Sequence, residues 1–148
     1  PHIDEKKTIS AEHRVKMLEL AIADSPRLSL ELGEVARGGK SYTYDTMKHL
    51  TQAYPDTDFY FIIGSDMVEY LPKWYKIDAL LDLVQFVAVQ RSTEAIESLY
   101  PVQWVDLPLS FASSTSIRKM FKDGIEPVYL MPQSVIDYIK KNKLYLEG

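Results

Sequence analysis

The segment Ala112-Ser113-Ser114-Thr115-Ser116-Ile117-Arg118 sets four hydroxyls and a guanidinium side by side. A helix opening here offers free backbone N–H groups and the positive end of its dipole beside those hydroxyls, which is anion-binding chemistry. Arg118 follows Ser114 by one helical turn and can reach back to a phosphate. The plainer alternative is a serine-rich cap with a solvated arginine. Gly64-Ser65-Asp66-Met67 follows the apolar run Phe59–Ile63. There, Gly64 lets a ligand approach the backbone and Asp66 can accept a hydrogen bond from a sugar hydroxyl; the alternative is a turn with an Asp cap. In Leu71-Pro72-Lys73-Trp74-Tyr75-Lys76, an aromatic pair between lysines can stack on a planar heterocycle, or serve only as a packing anchor. Finally, Ser41-Tyr42-Thr43-Tyr44-Asp45-Thr46 can present amides and hydroxyls to a carboxylate, or simply cap a helix, with Thr46 three residues after Thr43.

Other chemistries find no residues to carry them. His2, His13 and His49 are scattered without metal-ligand spacing, and no metal site is expected. No Walker-type loop and no G-x-G-x-x-G occurs, and Asp82, Asp106, Glu94 and Glu97 read as surface charges. Zero cysteines exclude a disulfide scaffold, a thiolate zinc site and a cysteine nucleophile, and suit a reducing, cytoplasmic setting. With 17 Lys plus Arg against 21 Asp plus Glu, the net charge of −4 argues against a broad grip on nucleic acid. Any anion must therefore be held by a local cluster. No run approaches the roughly 20 apolar residues of a membrane helix, and no signal peptide is expected.

These segments need elements to position them. The 148 residues, 46% hydrophobic and 26% charged, suit one globular domain of residues 1–148. Ser10 is the expected N-cap of a helix from Ala11 to about Ala23, with Val15, Leu18 and Ile22 on one face. Leu28, Leu30 and Leu32 alternate with polar residues and predict a strand with one wet face. Thr43 is the expected cap of a second helix carrying Met47, Leu50 and Tyr54. Phe59–Ile63 reads as a strand buried on both faces, the mark of a parallel sheet under helices. A helix around Ile77–Leu83, strands at Phe86–Val89 and Val102–Leu107, and helices at Ser114–Lys122 and Pro132–Lys141 complete the pattern, with Pro132 at a first helical position. Alternating strands and helices indicate an α/β fold with a mostly parallel sheet, whose ligands sit at the carboxyl ends of the strands.

Taken in order, Ser-Tyr-Thr-x-Asp-Thr, a strand ending Gly-Ser-Asp-Met, a Leu-x-x-Trp, a strand ending at Arg91, and Ser-Ser-Thr-x-Ile-Arg resemble the bacterial nicotinate-nucleotide adenylyltransferases. The resemblance runs from Pro1 to about Tyr145. It implies a Rossmann-like nucleotidyltransferase fold with helices on both faces of the sheet. It also implies adenylyl transfer from ATP to nicotinate mononucleotide, giving deamido-NAD and pyrophosphate, with Mg²⁺ carried by ATP. By the same resemblance, Ser113, Ser114, Thr115 and Arg118 match the motif for the ATP phosphates, with Arg118 in the catalytic role, and Gly64 and Asp66 match the nucleotide-sugar site. Arg91 sits on the adenosine side, its match loosened by the residues that follow it. Tyr42 and Thr43 match the segment receiving the nicotinate carboxylate, and Trp74 the ring that stacks on the pyridine.

One departure stands out: the Gly-x-Phe-Asp-Pro-x-His-x-Gly-His signature of the family is not in this sequence. Pro1-His2 fits the end of the loop after the family's second strand, so the chain reads as a member lacking its first strand–helix–strand unit and its catalytic histidines. Two alternatives therefore stand beside the main one. One is a phosphopantetheine-type adenylyltransferase, which shares the Ser-Ser-Thr-x-Ile-Arg turn but not the Ser-Tyr-Thr-x-Asp-Thr and Trp pair. The other is a non-catalytic nucleotide-binding fragment. A plain α/β interaction domain is the bland reading. Partners are expected to be small molecules, with a homo-oligomer left open.

Overall fold

A computed structural model describes residues 9–90, 97–108 and 112–146. The chain divides into two compact units, one holding the described residues of 36–110 and the other those of 5–35 and 111–148.

The first unit is built on three parallel strands, β1 (Tyr60–Gly64), β2 (Gln85–Val89) and β3 (Val102–Val105), in the order β1-β2-β3. Phe61 pairs with Phe86 and Phe86 with Val102, so these residues and their neighbours two along, Ile63 and Ala88, share one face. Against that face pack Met47 of α3 (Thr43–Ala53), Val68 of α4 (Ser65–Val68), Leu71 of a short 3-10 turn (Leu71–Lys73), and Ile77 and Leu80 of α5 (Ile77–Leu81). Leu71, Leu80 and Ala88 have no exposed surface and Phe86 only 1%. The opposite face stands differently: Tyr60 is 54% exposed and Ile62 69%. The strand read as buried on both faces is thus buried on one. A continuous apolar run marks a strand but carries no label for which of its faces is covered.

The second unit joins α1 (Ala11–Ile22), α6 (Ser114–Lys122) and α7 (Gln133–Lys141) around Phe121, Val135, Ile136, Ile139 and Leu144. Ser10 caps α1 as expected, its hydroxyl accepting from the His13 N–H at 3.3 Å. The inward face is Met17 and Leu20, however, and Leu18 is 51% exposed, so the expected Val15-Leu18-Ile22 stripe is rotated. His13 Nδ1 and the Tyr138 hydroxyl, 2.9 Å apart, tie α1 to α7. The end of α6 is a Schellman motif. Gly124 takes a left-handed φ of 73°, its N–H reaches the Phe121 carbonyl at 3.1 Å, and the Ile125 N–H reaches Met120 at 2.8 Å.

Three smaller expectations are corrected. Residues 28–32 form no strand; after a turn in which the Leu28 N–H bonds the Ser25 carbonyl, the chain runs irregularly into α2 (Gly33–Arg37). Alternation makes a strand only where a neighbour supplies the ladder, and none of the three described strands pairs there. Thr43 is the first residue of α3 rather than its cap, which is Tyr42 in an extended conformation with no side-chain bond to the helix. Pro132 precedes α7 as its N-cap. Among the described residues, no helix is long and apolar enough to cross a membrane.

Candidate functional site

The start of α3 and the loop after the 3-10 turn meet at a cavity of about 380 Å³ lined by Lys40, Ser41, Tyr42, Thr43, Lys73, Trp74 and Tyr75. Thus Tyr42, Thr43 and Trp74, three of the expected site residues, do come together. The first N–H groups of an α-helix have no partner within it, so the Thr43 and Tyr44 amides of α3 lie where an acceptor can take them. Tyr42 provides no side-chain cap to compete. Instead, its carbonyl accepts from the Asp45 and Thr46 N–H groups at 3.1 and 3.3 Å. Thr46, three residues after Thr43, accepts at its hydroxyl from Arg37 Nη2 at 2.7 Å.

The walls are aromatic. Tyr42 and Tyr75 stack with centroids 4.4 Å apart and planes tilted 33°, and Tyr44 meets Tyr75 edge-on at 6.1 Å. Trp74 is both wall and anchor: half-buried, it stands edge-to-face on Phe61 and on Phe86, each at 5.9 Å, and Phe61 and Phe86 pack on each other at the same distance. This tryptophan is thus a packing anchor whose ring also borders the cavity.

The cavity is also basic. Lys40 and Lys73 line it, and no carboxylate stands among its described lining residues, in a chain whose net charge is −4. Lys40 Nζ lies 5.2 Å from the Tyr42 ring, and Lys76 Nζ lies 4.8 Å from Tyr44 and 5.1 Å from Tyr75. The Tyr75 hydroxyl raises the Lys76 pKa above the usual lysine value, chiefly by hydrogen bonding to its ammonium. Of the lining residues, Lys40 was not singled out by type and spacing. Lys40 is far from the Trp74 loop in sequence, and only folding shows that the two share a wall.

Gly64 and Asp66 lie where an α/β sheet places ligands, at the carboxyl end of a strand. Gly64 closes β1 and caps α4 with an ordinary φ of −73°, and Asp66 is exposed in the first turn of that helix. The residue between them, Ser65, is 1% exposed and belongs to the packing. Arg91 lies outside the described residues.

In the second unit, α6 opens as expected at Ser114, and its first hydroxyls divide their work. Ser113 and Ser116 form a reciprocal capping box: Ser113 Oγ accepts from the Ser116 N–H and Ser116 Oγ from the Ser113 N–H, each at 3.0 Å. Ser113 is therefore committed to holding the helix start, while Ser114 and Thr115 stand exposed at its first turn. Arg118 Nη2 donates to Thr115 Oγ1 at 3.4 Å, so the guanidinium does fold back toward the helix N-terminus. Ser114 and Arg118 also border a cavity of about 330 Å³ whose other walls, among them Met17, Ile117, Phe121 and Val135, are apolar.

Comparison with known proteins is consistent across three kinds of likeness. Residues 1–120 match the family model for cytidylyltransferase-like proteins. The chain is 68% identical over 145 residues to a probable nicotinate-nucleotide adenylyltransferase of Lactococcus lactis, covering 98% of this chain and 74% of that protein. Proteins of the same name from Enterococcus faecalis and Streptococcus pneumoniae are 61% and 57% identical, and the chain spans 66% and 69% of their lengths. Among solved structures, nicotinic acid mononucleotide adenylyltransferase of Plasmodium falciparum complexed with NaAD superposes with a TM-score of 0.75 at 23% identity, over 97% of this chain and 78% of that one. Its complex with APC gives 0.73 at 23% identity, over 95% and 78%. At that identity the superpositions establish the fold.

Proposed function

We infer the reaction from one premise, that the chain belongs to the nicotinate-nucleotide adenylyltransferase family, within the cytidylyltransferase-like proteins. The reading is adenylyl transfer from ATP to nicotinate mononucleotide, yielding deamido-NAD and pyrophosphate. The observation that carries it on this chain is the cavity at the start of α3, where helix amides, aromatic walls and two lysines stand together with no carboxylate among the described lining residues. A planar ring bearing a carboxylate fits each of these features. Trp74 and Tyr75 offer faces for the ring, while the opening amides of α3 and the two ammonium groups favour the anion. A carboxamide returns less to such a site, because charge-assisted hydrogen bonds are the stronger kind. A phosphopantetheine substrate has no aromatic ring for these walls, and the relatives' names do not favour that alternative.

In this reading, the phosphate oxygen of the mononucleotide attacks the α-phosphorus of ATP in line and pyrophosphate leaves. No covalent enzyme intermediate is needed, so catalysis is positioning and charge stabilisation. Ser114, Thr115 and the first amides of α6 bind polyphosphate oxygens, and Arg118 neutralises charge on the departing group. Gly64 and Asp66 serve the nucleotide sugar and backbone. Mg²⁺ enters with ATP as part of that substrate and offsets polyphosphate charge. A cytoplasmic place of action belongs to the same proposal.

Calorimetric titration with deamido-NAD, with NAD as comparison, tests the reading without requiring turnover. The two differ by carboxylate against carboxamide, so a difference of one charged hydrogen bond, about 1.5–3 kcal/mol, predicts at least roughly tenfold tighter binding of the deamido form. Equal affinity for the two, or binding of neither by a chain folded on circular dichroism, refutes it.

A further inference from the structure

We propose that Lys76 is a positioning residue for the cavity at the start of α3: its ammonium, seated over Tyr44 and Tyr75 at once, holds the Tyr75 ring against Tyr42 and so fixes the shape of the aromatic wall. The inference rests on the reading of that cavity as the pyridine-nucleotide site.

The wall has to be held by something other than a cap. Tyr42, the N-cap of α3, makes no side-chain bond to its helix; its carbonyl holds the turn through the Asp45 and Thr46 N–H groups, and the placement of its ring is left to contacts with other side chains. Those contacts form a chain across two segments. Lys40 lies 5.2 Å from Tyr42, Tyr42 stacks on Tyr75 at 4.4 Å, and Lys76 bridges Tyr75 at 5.1 Å to Tyr44 at 4.8 Å. Tyr42 and Tyr75 line the cavity, whereas Tyr44 and Lys76 stand outside its lining, so Lys76 acts through them. A cation shared by two rings from different segments couples those segments without a covalent link.

The backbone of Lys76 serves the same end. Its φ of 52° is left-handed, a conformation that disfavours a side chain, and it is the N-cap of α5 without capping that helix. The side chain is instead directed to the rings. Tyr75 is 43% exposed, and burial alone does not fix its ring.

The test compares the chain with Lys76→Met and Lys76→Arg by three readouts: titration with deamido-NAD, titration with ATP, and the NMR shifts of the Tyr42 ring protons, which feel the current of the stacked Tyr75 ring. Lys76→Met is expected to weaken deamido-NAD by about tenfold, to leave ATP affinity unchanged and to move the Tyr42 protons toward unstacked values. Lys76→Arg, which keeps a cation over the rings, is expected to restore both. Unchanged Tyr42 shifts in Lys76→Met overturn the proposal whatever the affinities do. Unchanged deamido-NAD affinity, or equal loss for both ligands, overturns it as well, the latter marking general destabilisation. Failure of the unsubstituted chain to bind deamido-NAD falls instead on the reading of the cavity, and removes the proposal with it.

Discussion

Replacing Trp74 with Leu separates its two duties, lining the cavity and anchoring the sheet. Trp74 makes two edge-to-face contacts, with Phe61 and Phe86. Such pairs contribute about 0.5–1.5 kcal/mol each beyond simple burial, so losing both costs about 1–3 kcal/mol of stability. Leucine keeps much of the apolar volume, which avoids the larger cavity penalty of alanine, about 3–5 kcal/mol for a buried aromatic. A domain with about 5–15 kcal/mol in hand stays folded after that loss. The binding term is separate. Stacking of a planar ring on an aromatic side chain contributes about 1–3 kcal/mol, which is a loss of about 5–150-fold in affinity for nicotinate mononucleotide. ATP affinity should move by less than about twofold, because none of its proposed contacts involves Trp74. The assay is titration calorimetry with each ligand, at a temperature where thermal unfolding shows the variant fully folded. A lowered melting temperature with unchanged mononucleotide affinity would show Trp74 to be an anchor only, and parallel losses for both ligands would refute the stacking argument as well.

Arg118→Ala should weaken ATP binding by about 1.5–3 kcal/mol, roughly 10–150-fold, with nicotinate mononucleotide little affected; unchanged ATP affinity removes the phosphate assignment. Ser113→Ala deletes the acceptor for the Ser116 N–H and should cost about 0.5–2 kcal/mol in thermal or urea unfolding, whereas Ser114→Ala, exposed and outside the capping box, should stay within about 0.5 kcal/mol. Burial raises the Tyr145 pKa above its ordinary 10.0, against a lowering by Arg118 and Arg14. A group with a raised folded-state value contributes stability that is complete below its unfolded pKa and lost as pH rises through the folded one. The second unit should therefore weaken from about pH 10 upward, and Tyr145→Phe should flatten that part of the profile in urea titrations; an identical slope in the variant would show that Tyr145 ionisation plays no part.

What could be read from the sequence divides along a physical line, between structure settled within one turn of chain and structure settled by a distant partner. The cap at Ser10 and the span of α6 from Ser114 to Lys122 were legible because each depends on residues three or four positions away, whereas the Ser113–Ser116 capping box showed only as a serine-rich run. Phe59–Ile63 was legible as a strand end because a run of apolar residues stopping at Gly64 is a local pattern too. Which face of that strand is covered was not, since Tyr60 and Ile62 differ from Phe61 and Ile63 only in what packs above them. Leu28, Leu30 and Leu32 failed for the same reason: their alternation describes a half-buried strand, but a ladder also needs a neighbour.

The site repeats this division, and the repetition says where its specificity resides. Under the proposed function its anion-binding turns are local, and so the Ser41–Thr46 segment and the Ser114–Arg118 spacing could be picked out, while the roles of Tyr42 and Thr43 came with the family resemblance. Recognition of a particular ring is not local. The α3 amides face an aromatic wall only because Trp74 is braced on Phe61 and Phe86, in two different strands, and Tyr75 on Lys76 and on Tyr42, which lies in a distant segment of the chain. A motif at a helix N-terminus supplies affinity for an anion of almost any kind. Discrimination must then come from what stands opposite it, because only that wall differs between a ring that fills the cavity and one that does not. Under the proposed function, the residues most able to alter ring choice without abolishing anion binding are accordingly Tyr75 and Lys76 rather than the motif residues beside them.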